Sequence, residues 1–273
     1  MRRVLFGLVM ALSAGSASAT SYEDWYSPQV SIAGEINNDG HAYVWNASQR
    51  WLLNNWKPDC RADMPGPNRC YAPGGGRLNF HAERGGEFIG HGFSLISHPV
   101  SFTNGLSIEV PVTAWCTQAR NAEATKCGVN IGIWESEWNY RSIGVKSHPS
   151  CGTCLYLNLW GPTGEANFNG LAPLGNAIPT PAGATYVFKV QYWNSPSGWR
   201  WDYFMNGAWV AGHPAAPDNQ FGMGVGHFPN RQARLQLSAF SYNDRPNVDP
   251  WTNVNEPYNA AEGWFGSVSY SAY

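Results

Sequence analysis

Charged residues are scarce in this sequence. They make up 13% of its 273 residues, whereas ordinary soluble proteins carry roughly 25%. The formal net charge is −2, and the four lysines form no basic run; they are Lys57, Lys126, Lys146 and Lys189. Because nucleic-acid binding depends on clustered lysine and arginine, no nucleic-acid partner is expected. The 14 Trp, 13 Tyr and 12 Phe argue against disorder, since large apolar side chains offset the entropy of ordering.

Long apolar runs are also missing. Arg2 and Arg3 precede a short apolar stretch, Val4 to Leu12, and Ala17-Ser18-Ala19 resembles a cleavage site. This pattern predicts a secretory signal peptide over residues 1–19. The apolar stretch falls far short of the roughly 20 residues of a membrane span. We therefore expect no membrane span, and a mature chain of residues 20–273 secreted to the periplasm or the extracellular space.

The six cysteines follow the predicted cleavage site as three close sequential pairs: Cys60 and Cys70, Cys116 and Cys127, Cys151 and Cys154. An even number of cysteines in an exported protein favours disulfides, and local pairing is the simplest connectivity. The spacing of Cys151 and Cys154 also suits a redox motif or half of a zinc site. The sequence after Cys154 resembles a strand rather than a helix, and no second ligand pair has suitable spacing, so structural disulfides are favoured.

Helical periodicity of useful length is missing after the first nineteen residues. The best helix candidate, Ala47 to Trp56, stops before Pro58. Most other segments alternate apolar and polar residues and are separated by Gly, Pro, Asn and Asp, which is typical of strands. The sequence predicts one monomeric domain over residues 20–273, an all-β antiparallel sandwich of two sheets. The predicted strands are residues 77–83, 87–97, 106–115, 129–134, 140–146, 155–160, 186–193, 199–205, 208–211, 221–227, 234–242 and 264–270.

Alternation also predicts which side chains share a face, because successive strand residues point to opposite sides. The positions opposite the apolar ones are rich in amides, cations and rings, which suits sugars: rings stack on pyranose C–H surfaces and amides bind hydroxyls. We expect a glycan groove on an open sheet face that combines residues of several strands. The substrate-binding candidates are Arg77, Asn79, Asn130, Trp134, Tyr156, Asn158, Trp160 and Gln236.

One segment resembles a known superfamily. Tyr186 to Trp193, a short turn, then Trp199 to Val210 with Asn206-Gly207 inside it, predict a strand followed by two hairpins. This pattern, with Gly263 to Tyr270 as a last strand, is similar to the concanavalin A-like lectin/glucanase superfamily. The resemblance implies a two-sheet jelly roll with a concave glycan-binding face. It transfers no catalytic residue, because the glucanase carboxylate motifs and the Arg/Gln/His motifs of jelly-roll alginate lyases are not found.

Two glutamates stand close together in the sequence, Glu135 and Glu137. In an extended strand their Cα atoms would lie about 6.7 Å apart on one side, which suits the carboxyl pair of a retaining glycosidase. However, Ile133 has the same parity, so a continuous strand would point both carboxylates at the core, at high cost. A hairpin turn is therefore favoured over a catalytic pair.

A second set of catalytic candidates lies on polar strand positions. Glu83 and Glu109 could act as acid and base in glycoside hydrolysis if their strands are neighbours. A lyase acting on a uronic-acid polymer would instead need a base such as His81 or Tyr156. It would also need Arg77 or Asn158 near the substrate carboxylate. Each of these residues could equally line a solvated sheet face with no catalytic role.

No histidine spacing suits a transition metal, so no metal site of that kind and no required cofactor are expected. The stretch Glu35 to Gly40 offers Glu35, Asn37 and Asp39 as oxygen ligands on a predicted loop, where they could hold a structural calcium ion. An ordinary Asn-Asp-Gly turn is the commoner explanation of the same residues.

Three functions remain compatible with the sequence. The favoured one is a secreted polysaccharide-degrading enzyme, either a glycoside hydrolase or a polysaccharide lyase, with a polysaccharide or oligosaccharide as its partner. The alternatives are a non-catalytic lectin-like protein that binds glycans on the same face, and a structural protein of the cell surface. Two titratable groups within catalytic reach in a groove would distinguish the enzyme from the lectin.

Overall fold

The computed structural model describes residues 20–23, 32–36, 51–55, 71–74, 77–83, 91–116, 125–136, 139–148, 152–160, 178–215, 228, 230–243 and 260–273. Its regular elements are all strands. In chain order they are β1 (Thr20–Glu23), β2 (Ile32–Ile36), β3 (Trp51–Asn55), β4 (Tyr71–Gly74), β5 (Arg77–Glu83), β6 (His91–Ser97), β7 (Val100–Ser101), β8 (Gly105–Cys116), β9 (Thr125–Ser136), β10 (Asn139–His148), β11 (Gly152–Trp160), β12 (Thr185–Ser195), β13 (Gly198–Met205), β14 (Ala208–Pro214), β15 (Gln232–Asn243), β16 (Ala260–Phe265) and β17 (Val268–Ala272).

The strands form two sheets packed face to face. Sheet A runs β14-β13-β12-β8-β16-β5-β4, with β17 also paired to β8 and β1 paired to β17. Sheet B runs β11-β10-β9-β15-β6-β3-β2, with β7 paired to β15. The predicted two-sheet sandwich is thus confirmed, and its pairings are antiparallel except for the parallel pair β2–β3.

The core lies between the sheets and follows the alternation of each strand. In β8 the residues Leu106, Ile108 and Val110 are fully buried, and in β15 Leu235 and Leu237 are fully buried. Apolar side chains at alternate positions remove one side of each sheet from water, which is the main stabilising term of the fold. The other side of each sheet is consequently left to polar and aromatic residues.

The helix candidate Ala47 to Trp56 is wrong over its described part. Residues 51–55 form β3, in which Trp51 pairs with Ser97 of β6 in antiparallel register. On its other edge Trp51 pairs with Ile32 of β2 in parallel register. Hydrogen bonding on two edges outweighs a weak local helical preference. The predicted strand 221–227 lies outside the described residues.

The predicted last strand is divided in two. β16 ends at Phe265 and β17 begins at Val268, and both pair with β8. The break lies beside Pro111, which has no backbone N–H to give to the ladder. Its carbonyl accepts a hydrogen bond from the Gly266 N–H at 2.8 Å. The missing donor of a proline in a central strand accounts for the interruption.

The cysteines depart in part from the predicted pairing. Cys116, at the end of β8, and Cys127, in β9, form no disulfide, and burial, together with the neighbouring Cys127, raises the pKa of the Cys116 thiol. The predicted bond between them is therefore wrong for this structure, although the two side chains are neighbours. Cys154 is disulfide-bonded, and its partner lies outside the described residues, as do Cys60, Cys70 and Cys151.

Candidate functional site

Each sheet has an outer side, away from the core. We call these the sheet A face and the sheet B face. On sheet B the even-numbered residues of β9, β10, β11 and β15 lie on the outer side, because odd-numbered residues such as Ile131, Ile143, Leu157 and Leu237 are buried in the core.

Strand register arranges the sheet B face in rows that run across the strands. The central row brings together Asn158, Ser142, Gly132, Gln236 and Ile96. One flanking row contains Trp160, Tyr140, Trp134 and Arg234. The flanking row on the other side contains Tyr156, Gly144, Asn130, Ser238 and Ser94. The six predicted residues Asn130, Trp134, Tyr156, Asn158, Trp160 and Gln236 therefore share one face, and rows lie roughly 6.7 Å apart.

The sheet B face is enclosed rather than open to solvent. Trp134 is 7% exposed and Asn130 is 2% exposed, so the expectation of an open face is wrong for these residues. Its other buried polar side chains are Ser94, Ser142, Lys146, Gln236 and Ser238. Burying polar groups costs free energy unless they are hydrogen-bonded, which makes their partners informative.

Most of these polar groups are paired within the face. Ser238 Oγ donates to Asn130 Oδ1, and Gln236 Nε2 donates to Ser94 Oγ at 3.0 Å. At the edge of the face Arg234 Nη1 donates to the carbonyl oxygen of Ser97 at 2.9 Å. These contacts fix the amide of Gln236 with its nitrogen towards β6 and leave its oxygen to point elsewhere.

Two buried atoms at the centre of the face have no hydrogen-bond partner in the described part of the chain. They are Ser142 Oγ and Gln236 Oε1. Both flank Gly132: a Cβ built on that glycine would lie 2.9 Å from Ser142 Cβ and 3.2 Å from Gln236 Oε1. A Cβ would also lie 2.5 Å from the Arg141 carbonyl oxygen, so Gly132 allows β9 and β10 to approach closely, with a hydroxyl group and an amide oxygen on either side.

A cation and a phenol lie together on the same face, the cation two rows and the phenol one row from the central row. The ammonium of Lys146, which is 8% exposed, lies 4.8 Å from the centroid of the Tyr156 ring. Tyr156 is 3% exposed and lies opposite Gly144 in register, in the same row as Asn130. The ammonium stabilises negative charge in its neighbourhood, since charges are weakly screened in a buried site.

Glu135 lies outside this arrangement. β9 ends at Ser136, β10 begins at Asn139 and the two strands pair antiparallel, so the hairpin is confirmed but Glu135 lies within β9 rather than in its turn. The Glu135 side chain is exposed and its Oε2 accepts a hydrogen bond from Asn139 Nδ2 at 2.6 Å. Glu137 lies outside the described residues.

The remaining predicted residues lie on the other sheet. β5, which carries Arg77, Asn79, His81 and Glu83, belongs to sheet A, whereas β11 with Tyr156 belongs to sheet B. The predicted groove that combined them is therefore wrong, because parity places both sets on outer sides and those outer sides face away from each other. Alternation predicts the side of a sheet but not which sheet a strand joins.

The predicted carboxylate pair is also separated. β16 lies between β5 and β8, so their strands are not neighbours. Glu83 pairs with Ala260, next to the level of Cys116, and Glu109 lies seven positions before Cys116 in β8. That offset is roughly 23 Å along the strand, too far for a glycosidase pair. Glu109 instead lies opposite Lys189.

The calcium expectation falls mostly outside the described residues. Glu35 lies within β2, opposite Leu53, rather than on the predicted loop, and Asn37 and Asp39 are not described. Among the described side chains, no group of three or more His, Cys, Asp or Glu is placed to hold a metal ion. None of the described segments is a helix of the length and apolarity that crossing a membrane requires.

Sequence reasoning missed Ser142, Lys146 and Tyr140. The signal was present, because β10 alternates with Ile143 and Val145 in the core, which places the three even-numbered residues on the outer side. Serine and lysine are common on any solvated surface, so their types alone carry no functional signal. Their burial, which only the structure shows, distinguishes them.

The sequence matches no protein-family model and no curated protein. Among solved structures, an endo-acting O-glycanase of the human gut microbiota aligns with a TM-score of 0.52 at 15% identity over 86% of this chain and 96% of that chain. A pseudo β-1,3-glucanase of Mycobacterium tuberculosis, an immunostimulatory antigen, aligns with a TM-score of 0.50 at 14% identity over 92% and 97%.

The carbohydrate recognition domain of Emp47p aligns with a TM-score of 0.48 at 10% identity over 94% of this chain and 98% of that chain. Identities this low show the fold alone. The fold is the concanavalin A-like jelly roll, as the resemblance of the Tyr186 to Val210 segment implies.

Proposed function

We propose that this protein binds a glycan chain through the sheet B face. The observation that carries the proposal is a pair of buried polar atoms on either side of Gly132, Ser142 Oγ and Gln236 Oε1, which have no partner in the described part of the chain. A sugar hydroxyl can donate to the amide oxygen and accept from the serine hydroxyl, which satisfies both groups at once.

The residues around Ser142 Oγ and Gln236 Oε1 favour a sugar over other small polar ligands. Trp134, Tyr140 and Tyr156 lie in the rows on either side, and aromatic rings provide the apolar surface on which sugar rings stack. A ligand pocket of this kind combines ring surfaces with a few convergent polar groups. The fold agrees by analogy only, since an endo-acting O-glycanase and a pseudo β-1,3-glucanase share it and one fold hosts many activities.

Removing the two central groups tests the binding site. Titration of oligosaccharides from mucin, β-1,3-glucan and alginate should identify a ligand, and Gln236→Ala and Ser142→Ala should each weaken its binding about tenfold. Ser142→Ala is the cleaner variant, because its hydroxyl has no described partner to lose. Gln232→Ala is the matched control: Gln232 is an exposed glutamine of the same strand and should change nothing. Binding unaltered in both site variants, or no binding to any of the three series, would contradict the proposal.

We further propose that the bound glycan is a uronic-acid polymer and that the protein cleaves it by β-elimination. Support comes from the Lys146–Tyr156 pair on the same face, in which Tyr156 lies one row from the central row. In this reaction Tyr156, as phenolate, removes the proton from the carbon next to the substrate carboxylate, and Lys146 stabilises the charge that develops there. A carbon–carbon double bond then forms as the bond to the glycosidic oxygen breaks, and Tyr156 returns the proton to that leaving oxygen. Paired-carboxylate hydrolysis has less support, because no described carboxylate side chain lies on the sheet B face.

A product assay, with Tyr156→Phe as the site variant, separates elimination from hydrolysis, lectin-like binding and a structural role. On alginate or polygalacturonate, elimination gives new reducing ends together with the ultraviolet absorbance of the unsaturated product. The variant should lose at least about a hundredfold in rate while it keeps its affinity, as expected of a general base. New reducing ends without the absorbance would indicate hydrolysis. Binding without any cleavage would indicate the lectin-like alternative. A structural protein of the cell surface would neither bind nor cleave.

We also propose that the protein is secreted as residues 20–273. The signal-like sequence before Thr20 supports this, and the chain that follows it takes part in the fold, because Thr20 of β1 pairs with Tyr270 of β17. When the full chain is expressed with an intact export system, N-terminal sequencing of the exported protein should start at or near Thr20. Recovery only in the cytoplasm with Met1 retained would contradict secretion.

A further inference from the structure

The sheet A face carries a second aromatic surface that the proposed site does not use. Four tryptophans lie on it, and we call them the tryptophan platform: Trp115, Trp193, Trp209 and Trp264. Trp209 is 58% exposed and Trp115 is 39% exposed, the two large apolar side chains that are exposed among those described. We propose that the tryptophan platform binds an uncharged polysaccharide, independently of the sheet B face.

One buried carboxylate fixes two of these rings. Asp202 Oδ2 accepts a hydrogen bond from Trp193 Nε1 at 2.6 Å, and Asp202 Oδ1 accepts one from Trp209 Nε1 at 2.9 Å. Arg200 Nη2 also donates to Oδ1 at 2.7 Å. Because the carboxylate lies between β12 and β14, it fixes one ring on each side of β13. Both indole N–H groups are occupied, so the rings offer their faces and edges to a ligand.

A second carboxylate does the same at the other end of the platform. Glu262 Oε1 accepts from Trp264 Nε1 at 3.1 Å and from Asn79 Nδ2 at 3.0 Å. Trp115 of β8 lies opposite Glu262 in register. The neighbours of the Glu262 carboxylate therefore come from three strands, β5, β8 and β16. Rings that are held before binding lose little conformational entropy when a ligand arrives, which favours affinity.

A β-bulge directs Trp209 to this side. Tyr203 pairs with Ala211 and Phe204 pairs with Trp209, so Val210 is an extra residue in β14. Ala211 is buried in the core, and in a regular strand Trp209 would face the core as well. Bulges of this kind re-aim side chains and are common beside functional sites.

Gly212 completes the arrangement around Asp202. A Cβ at this position would meet the Asp202 carboxylate and would lie 2.7 Å from Arg200 Nη2. Only glycine leaves room for these two groups on the surface of β14. Three local features, the bulge, the glycine and the buried carboxylate, thus act together to expose the Trp209 ring in one orientation.

The charge of the face selects an uncharged ligand. By strand parity its cationic positions include Arg77, Lys189 and Arg200, and its anionic positions include Glu83, Glu109, Asp202 and Glu262. Lys189 lies opposite Glu109, and Arg200 forms an ion pair with Asp202. A face with no excess of cations, on which Lys189 and Arg200 are paired, offers no net attraction to a nucleic acid or an anionic membrane. Fixed rings on such a face fit the C–H surfaces of uncharged pyranose chains.

Binding to insoluble uncharged polysaccharides tests the tryptophan platform. The protein is mixed with particles of cellulose, chitin and β-1,3-glucan, and the unbound fraction is measured at low and high salt. The wild type should bind at least one of the three solids with the same affinity at both salt concentrations, because screening does not affect an uncharged ligand. Trp209→Ala and Trp193→Ala should each raise the dissociation constant about tenfold, the loss of one stacked ring.

Two control variants make the test specific. Asn194→Ala changes an exposed residue next to Trp193 and should leave particle binding unchanged. Gln236→Ala changes the sheet B face and should also leave it unchanged, so failure of the proposed function and failure of this proposal are distinguishable.

Four results would overturn the proposal: no binding to any of the three solids, wild-type binding by Trp209→Ala, loss of binding in high salt, or a wild-type dimer that Trp209→Ala converts to a monomer in light scattering. The last result would make the platform an interface between two copies of the chain.

Discussion

The role of each tryptophan in this protein depends on the side of the strand that it occupies and on the hydrogen-bond acceptor of its indole N–H group. Trp201 is fully buried and its ring packs 4.8 Å from that of Tyr192, where it fills the core. Trp209, in the adjacent strand, is mostly exposed because the Val210 bulge and Asp202 hold it outward. Residue type alone therefore predicts neither role, since the same side chain serves packing or recognition.

Two glycines show how a missing side chain can define a site. Gly132 allows β9 and β10 to approach closely between Ser142 and Gln236, and Gly212 leaves room for Asp202 and Arg200. In both cases the neighbouring polar groups would collide with a Cβ, so alanine would displace them. Such glycines look like ordinary strand residues in the sequence, and only the packing around them shows what they do.

At the scale of elements, the sequence is most informative about strands and least informative about their partners. Alternation predicts β5 with its observed bounds, Arg77–Glu83, and places Asn130 and Gln236 on the outer side as found. It does not predict that β5 joins sheet A and β11 joins sheet B, because that depends on long-range pairing. Half of the predicted groove is consequently found on the opposite side of the molecule.

The hairpins around Asn206 and Gly207 illustrate the part that local sequence does determine. Both residues have positive φ, 52° and 77°, as the tight turn predicted from Asn-Gly requires. Asn206 Oδ1 also accepts a hydrogen bond from the Val187 N–H at 2.8 Å, which connects the turn to the neighbouring strand β12. The bulge at Val210 has no such sequence signature. Nothing in the sequence Trp209-Val210-Ala211 indicates that the strand contains an extra residue.

At the scale of the whole molecule, the sandwich presents two different faces. The sheet B face is enclosed and carries buried polar groups, whereas the sheet A face is exposed and carries fixed aromatic rings. The core between them is about 10 Å thick, so ligands on the two faces do not touch. A protein with this arrangement could hold a solid polysaccharide on one face while a single chain occupies the other.

The stability of the whole sandwich should depend on one partly buried histidine of sheet A. His213 Nδ1 donates to the Pro214 carbonyl oxygen at 2.9 Å, so Nε2 of the neutral ring accepts from Tyr203 Oη at 3.1 Å. Burial, with a contribution from the positive charges of Arg141 and Arg200, lowers the pKa of His213 from 6.5 to about 4, against opposing effects of the Pro214 hydrogen bond and Asp202. The folded protein therefore resists protonation that the unfolded chain accepts.

The sign of the effect follows from this difference. Above pH 6.5 the ring is neutral in both states and its contribution to stability is complete. As the pH falls from 6.5 to about 4, the unfolded chain binds a proton that the folded protein does not, and about 1–3 kcal/mol of the free energy of unfolding should be lost. Urea unfolding at several pH values measures this loss.

His213→Gln isolates the contribution of the histidine. The variant should be less stable than the wild type at pH 7, because the Tyr203 hydroxyl loses its acceptor, but the gap between the two proteins should narrow as the pH falls towards 4. Carboxylates titrate over the same range in both proteins, so the difference between the two curves removes them. Tyr186→Phe, which changes a half-buried phenol elsewhere in sheet A, should leave the pH dependence of the wild type intact. Parallel curves for wild type and His213→Gln would show that His213 does not carry the effect.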